Sequence, residues 1–301
     1  MEIQTILKSV VALRAIIPDD AFTAGTLGNR REGSGIVIGA DGLVLTIGYL
    51  ITEATQVWLT TNDGRAVPGH ALAYDQETGF GLVQALGELD LPPLALGDSA
   101  KAALAEPVLF VDGTGHYVEA TIVAKQEFAG YWEYLLDEAI FTAPAHPSWG
   151  GAALVDMDGR LLGVGSLHLQ MSQGGEVADI NMAVPIDLLQ PILDDLLTRG
   201  QANRPPRPWL GVFSAESNGE VVVMSVAENG PAARAGIRRG DVISDVRDGA
   251  INGLADFYRK LWETGPAGAE VPLRIVRDGR ESWLRVKSAN RDSFLKKPLL
   301  Q

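Results

Sequence analysis

The 301-residue chain contains no cysteine. Disulfide staples and thiolate chemistry are therefore excluded, and cysteine usage points to no particular redox compartment. Long apolar runs are missing too. Nothing approaches the roughly 18 consecutive apolar residues that a membrane-spanning helix requires. The start, Met1 to Ile17, is apolar but carries Arg14 and has no basic stretch before it, so as it stands it does not read as a signal peptide. A soluble chain is expected, with cytoplasm and periplasm both open. Basic charge is also short: 25 Lys/Arg stand against 38 Asp/Glu, a net of −13. The deficit is uneven. Residues 208–301 hold 14 basic and 12 acidic side chains, and residues 1–207 hold 11 and 26. The asymmetry suggests two units, and the acidic first unit would repel nucleic acid. No His/Asp/Glu spacing reads as a metal site, and no cofactor is expected. The pairs Asp19-Asp20 and Asp194-Asp195 read as solvated surface.

Glycine and proline are abundant, 34 and 16, and scattered as turn punctuation. Apolar runs at Ile36–Ile38 and Leu43–Thr46 are joined through Asp41-Gly42, a hairpin signal. Asn62-Asp63-Gly64 and Asp158-Gly159 repeat the device. Short, regularly spaced strands of this kind point to β-barrels or sandwiches. Residues 185–198 carry helical spacing of Leu and Ile, with a start at Pro185 or near Pro191 and a stop at Gly200. Residues 201–207 are polar and Pro-rich and read as a linker. Beyond them, strands at GEVVVMSV and VPLRIVRDG accompany helical stretches at residues 231–237 and 254–263. The expectation is a mainly β chain: a first domain over residues 1–200 and a smaller α+β domain over residues 208–301.

Several motifs occur in a telling order: Gly33-Ser34-Gly35 through Asp41-Gly42 to Thr46, the LPPLALGDS segment from Leu91 to Ser99, Gly150 to Val164, and INMAVPI from Ile180 to Ile186. Together they resemble the HtrA/DegP-type serine proteases. That resemblance implies a trypsin-like double antiparallel β-barrel followed by a PDZ domain.

The same resemblance locates the catalytic positions and finds them changed. Tyr49 stands at the histidine position of the family's LTNNHVV run, Gly79 at the aspartate position, and Gly150 at the nucleophilic serine position. A serine hydroxyl attacks only when an imidazole takes its proton and a carboxylate orients that imidazole. Glycine offers no nucleophile and no orienting group, and a phenol is a poor base at neutral pH. The implied protein is a pseudoprotease with no catalytic residues. One rescue remains open: His146 and Ser148 share a face in extended backbone and would form a non-standard pair, unless both are simply turn residues around Pro147. His70, His116 and His168 have no motif around them, and Asp156 and Asp158 read as turn formers. Trp149, where the family has Asn, is expected to bury its indole either in the disused cleft, partly closing it, or against a neighbouring loop.

Arg207 to Val212 resembles the opening of family PDZ domains, and Gly230 to Ile243 resembles their GSPAARAGLRPGDVI segment. In that family the loop's N–H groups hold a peptide's terminal carboxylate while the peptide adds a strand. The resemblance assigns peptide binding to Trp209, Leu210, Gly211 and Val212, with Phe257 and Leu261 among the residues lining an apolar pocket. Partners would be peptides or protein C-termini, with assembly as a homo-oligomer (a trimer, as in relatives) or with an active relative. Three functions stay open: a non-catalytic scaffold or adaptor, an active endopeptidase using Ser148 with His146, and a regulatory subunit of an active relative.

Overall fold

The computed structural model describes residues 3–173 and 176–296. They divide into two compact units: the first holds residues up to Gln126, Glu138–Asn203 and the chain from Leu295, and the second holds Glu127–Asp137 and Arg204–Phe294.

The first unit consists of two closed antiparallel barrels. After a short helix, α1 (Ile3–Lys8), β1 (Val10–Ile16), β2 (Arg30–Val37), β3 (Leu43–Ile47), β4 (Gln56–Thr60), β5 (Ala66–Tyr74) and β6 (Phe80–Ala85) close in the order β1-β2-β3-β6-β5-β4. One helical turn, α2 (Ala24–Leu27), lies between β1 and β2. The second barrel closes as β10-β11-β12-β9-β8-β7, from β7 (Pro107–Val111), β8 (Tyr117–Gly130), β9 (Tyr134–Ala143), β10 (Ala153–Val155), β11 (Leu161–Gln173) and β12 (Glu176–Pro185). Closure leaves no unpaired sheet edge. The three sequence-read turns connect β2 to β3, β4 to β5 and β10 to β11, each an antiparallel pair. Inward side chains such as Leu13, Leu45, Leu59 and Phe80 fill the first barrel, and Phe110, Ile122, Ile140 and Leu154 fill the second. The barrels approach closely: Ser34 N–H donates to the Gly150 carbonyl at 2.8 Å, and Gly113 N–H donates to Ser34 Oγ at 2.9 Å. Helix α3 (Gln190–Arg199) has Pro191 in its first turn, where a missing N–H costs nothing. Gly200 ends it at φ +71°.

The second unit is built on one sheet in the order β13-β14-β15-β17-β18, from β13 (Val212–Ser217), β14 (Glu220–Val226), β15 (Val242–Val246), β17 (Glu270–Arg277) and β18 (Arg280–Lys287). A two-residue strand, β16 (Gly249–Ala250), pairs with β15. Helices α4 (Pro231–Arg234) and α5 (Gly253–Trp262) complete it. The sequence predicts helix as far as residue 237, but α4 stops after one turn, and Gly236 follows in the left-handed region. The apolar face of α5 delivers Phe257, Tyr258 and Leu261 into the core beside Val223, Ile243 and Leu273. Asp241, almost fully buried just ahead of β15, accepts from Arg277 Nε and Nη2, both at 2.6 Å, and from Arg238 N–H at 2.8 Å.

The units depart from the expected boundaries at Arg204–Arg207, expected as linker but part of the second unit, at the chain from Leu295, expected in the second domain but part of the first unit, and most instructively in the β8–β9 hairpin. Residues 127–137 lie in the β8–β9 hairpin tip, within sequence expected to belong to the first domain, yet they pack in the second unit. Among the described residues no helix is long and apolar enough to cross a membrane.

Candidate functional site

Two places carry the sequence-predicted residues: a cleft between the barrels of the first unit, and the loop that opens β13 in the second.

At the cleft, Tyr49 sits on a single 3-10 turn, Gly48–Leu50, directly after β3. That turn lies tight against β6. Gly48 N–H donates to the Gly79 carbonyl at 2.7 Å, and a Cβ on Gly48 would stand 2.0 Å from the Tyr74 ring. Gly79 itself has φ +84°, a conformation that strains any residue with a Cβ. The Tyr49 hydroxyl donates to the Ser166 carbonyl at 2.9 Å. Burial raises its pKa far above the ordinary phenol value. A Cβ built on Gly150 would lie 3.0 Å from the Tyr49 oxygen. The three positions that the resemblance singles out therefore converge, with a phenol standing against the place for a nucleophile's side chain.

The loop before Gly150 is held from below. His146 is buried; its N–H donates to Asn181 Oδ1 at 2.6 Å, and Asn181 Nδ2 donates back to the His146 carbonyl at 3.2 Å. The N–H of Ser148 donates to His146 Nδ1 at 3.0 Å. An acceptor Nδ1 leaves the proton of the neutral ring on Nε2, which lies 3.9 Å from Asp112 Oδ2. Burial lowers the His146 pKa more than Asp112 raises it, so the ring is neutral at pH 7. His146 and Ser148 are thus neighbours, but the lone pair that a base would need is already engaged by a backbone amide. Donors for a developing oxyanion would be the N–H groups of the nucleophile position and of the residue two before it. Here the second of these is the Ser148 N–H, already turned to His146.

The cleft has a volume of about 930 Å³ and is walled by Tyr49, Trp58, Trp149, Arg30, Asp112 and Ser148, among others. The Trp149 indole stacks on His168 with centroids 5.2 Å apart and packs partly against the second barrel's core. It borders the cleft and does not fill it, because stacking on His168 holds it at the wall. His116 bonds Thr114 Oγ1 through Nδ1, and Asp156 caps its turn by accepting from Arg160 N–H.

In the second unit, the amides of Leu210, Gly211 and Val212 converge on one carboxylate, that of Glu133 in the hairpin tip. Leu210 N–H reaches both oxygens at 3.0 and 3.2 Å, and Gly211 and Val212 reach Oε1 at 2.7 and 2.9 Å. Gly211 has φ +76°, and a Cβ there would lie 2.9 Å from the Trp209 ring, so the loop needs glycine. Trp209 supplies no donor to this cluster. Its N–H goes to the Ala289 carbonyl at 3.0 Å, and its ring packs against Phe294. Phe257 and Leu261 are fully buried in the core beneath.

Comparison with known proteins matches this arrangement. Residues 33–164 fit a trypsin-like peptidase domain, and residues 208–287 fit a PDZ domain. In this order the two matches make the chain similar to proteins of the HtrA/DegP type. A probable periplasmic serine endoprotease, DegP-like, of Pseudomonas putida is 29% identical over 269 residues, covering 84% of this chain and 55% of that protein. The serine protease PepD of Mycobacterium tuberculosis is 28% identical, covering 86% and 61%. The periplasmic serine endoprotease DegP of Escherichia coli is 27% identical, covering 83% and 55%. The chain thus spans somewhat over half the length of these curated relatives. Among solved structures, the HtrA-type protease AlgW with a decapeptide aligns at TM-score 0.55 and 23% identity, covering 99% of this chain and 100% of that one. The serine endoprotease from Yersinia pestis aligns at 0.55 and 21%, covering 97% and 99%. At these identities the structures establish the HtrA fold alone.

Within that HtrA-type frame, one residue escaped sequence reasoning. Glu133 sits in Gly-Tyr-Trp-Glu-Tyr, which carries no motif. The adjacent aromatic pair Tyr131-Trp132 was its only signal.

Proposed function

We propose that this chain is a non-catalytic HtrA-type protein that acts as a scaffold or adaptor, binding extended peptides or protein C-termini through its PDZ domain. The contact between Tyr49 and Gly150 carries the reading. Acyl transfer by a serine needs a nucleophile, a base with a free lone pair and a group to orient that base. Gly150 provides no side chain, and the Tyr49 oxygen lies 3.0 Å from where its Cβ would be. Tyr49 is protonated at any physiological pH and spends its proton on the Ser166 carbonyl. Gly79 turns a carbonyl, not a carboxylate, toward the turn that carries Tyr49. The alternative pair is supported by proximity only, since the His146 lone pair accepts from the Ser148 backbone.

Peptide binding is supported by the loop. Three N–H groups aimed at one carboxylate make an anion site of the kind that holds a peptide's free terminus, and β13 lies at the sheet edge next to it. The test is exposure of the full chain to a biotinylated fluorophosphonate followed by intact mass. No adduct is expected. An adduct mapped to Ser148 would replace this reading with an active hydrolase.

A further inference from the structure

The carboxylate in the PDZ loop belongs to the chain itself, and it is not held alone. Two residues before Glu133, the Tyr131 carbonyl accepts from Ser214 N–H on β13 at 2.9 Å. A main-chain hydrogen bond onto the strand edge, two residues ahead of a carboxylate on the loop amides, is how an added peptide strand would engage this groove. The Tyr131 ring lies 6.3 Å from that of Phe213 on the same strand. From α5, the opposite wall, Tyr258 Oη donates to the Gly130 carbonyl at 2.7 Å and accepts from Glu133 N–H at 3.2 Å. Leu135 enters the apolar core with Leu210, Val212, Phe257 and Leu261. Arg259, also on α5, bridges Glu127 at 2.5 Å and Asp137 at 2.6 Å, one at each end of the tip. The tip thus makes the contacts expected of a bound peptide: anion on amides, backbone on strand edge, apolar side chain in the core.

We infer that the hairpin tip 131–133 is an internal ligand of the PDZ groove, with the Glu133 side chain standing in for a C-terminal carboxylate, so that an incoming peptide must displace it. The inference rests on the reading of this domain as a peptide-binding module and adds its regulation. Tethering makes the competition effective. A ligand on a short connection acts at an effective concentration of about millimolar, so an intrinsic Kd near 100 μM already weakens an outside competitor about tenfold. Glu133 also holds φ +57°, a left-handed conformation uncommon for glutamate and kept here by contacts on both sides. Arg291 places its charge near the buried carboxylate, and its Nη1 is buried without a hydrogen-bond partner among the described residues.

The test uses the full chain, unaltered and as Glu133→Ala, with a fluorescein-labelled decapeptide ending in Gly-Tyr-Trp-Val carboxylate and its C-terminal amide. The sequence copies Gly130 to Trp132 of the tip and ends in a small apolar residue. Glu133→Ala should bind the free-carboxylate peptide at least tenfold more tightly than the unaltered chain, and the amide should lose that gain. Equal affinity of the two chains for the acid peptide would overturn the internal ligand and leave the peptide-binding reading standing. No binding by either chain would overturn the peptide-binding reading and this inference with it. Should Glu133→Ala fold poorly, Glu133→Gln serves: the backbone amide resonances of Leu210, Gly211 and Val212 in the free chain should shift. Unchanged resonances there would show that the carboxylate is not docked.

Discussion

The hydroxyl oxygen of Tyr49 lies 3.0 Å from the point where a Cβ on Gly150 would stand. That distance is shorter than ordinary carbon–oxygen contact, so the residue at the histidine position also restricts the residue at the serine position. Gly150→Ser should therefore give no hydrolysis and should lower stability. Crowding of one side chain into packed surroundings costs about 1–3 kcal/mol. Each kcal/mol corresponds to a fall in Tm of roughly 2–4 °C for a chain of this size, readable by calorimetry. An unchanged Tm would mean that Tyr49 moves aside freely.

Gly79 presents a second obstacle to restoring activity. At φ +84° an aspartate would be strained by about 1–3 kcal/mol. Its carbonyl would also have to keep its bond to Gly48 N–H. Gly79→Asp should destabilise the chain by that amount in urea denaturation. The triple variant Tyr49→His, Gly79→Asp, Gly150→Ser should remain inactive on casein. Recovery of turnover by that triple variant would show that the frame around the positions is intact.

The contrast between what was readable in the sequence and what was not follows from the range of the interactions. Asp41-Gly42, Asp63-Gly64 and Asp158-Gly159 specify hairpins through local backbone preferences, and each hairpin is present. Gly211 was legible because only glycine accepts the loop's conformation. The membership of residues 127–137 in the second unit had no such local trace, because it depends on contacts made with residues 77 to 128 positions further on. Glu133 takes a left-handed conformation without the Gly, Asn or Asp that would announce one. Trp149 does line the cleft as expected, but its stacking partner His168 lies far away in sequence and left no local trace.

Docking of the tip should depend on pH. Burial pushes the Glu133 pKa up to about 7 against the pull of three amide donors, from an ordinary value of 4.5. The groups facing it are Tyr258 from α5 and Arg291 beyond β18; the loop itself contributes only backbone amides. A raised pKa in the docked state means that protons favour docking. That contribution is fully present below about pH 4.5 and is lost as pH rises through about 7. Its full size is about 3 kcal/mol. Hydrogen exchange at Gly211 and Val212 should accordingly be faster at pH 8 than at pH 6 after correction for intrinsic rates. The dependence should vanish in Glu133→Gln. Protection that increases with pH would show that the amide donors outweigh burial and hold the docked carboxyl below its ordinary pKa.

Gly211→Ala should break the loop. The added methyl would meet the Trp209 ring at 2.9 Å, at a φ of +76°. The expected cost is about 1–3 kcal/mol. Binding of any peptide carboxylate should fall at least tenfold, read by fluorescence anisotropy in the Glu133→Ala background, where the internal carboxylate does not compete.

Absence of peptidase chemistry is open to direct test with an unstructured substrate. Pure chain should be incubated with β-casein for a day at pH 7.5 beside its Ser148→Ala variant, and the products read by mass spectrometry. Casein should remain intact in both samples. Cleavage by the unaltered chain that disappears in Ser148→Ala would contradict this.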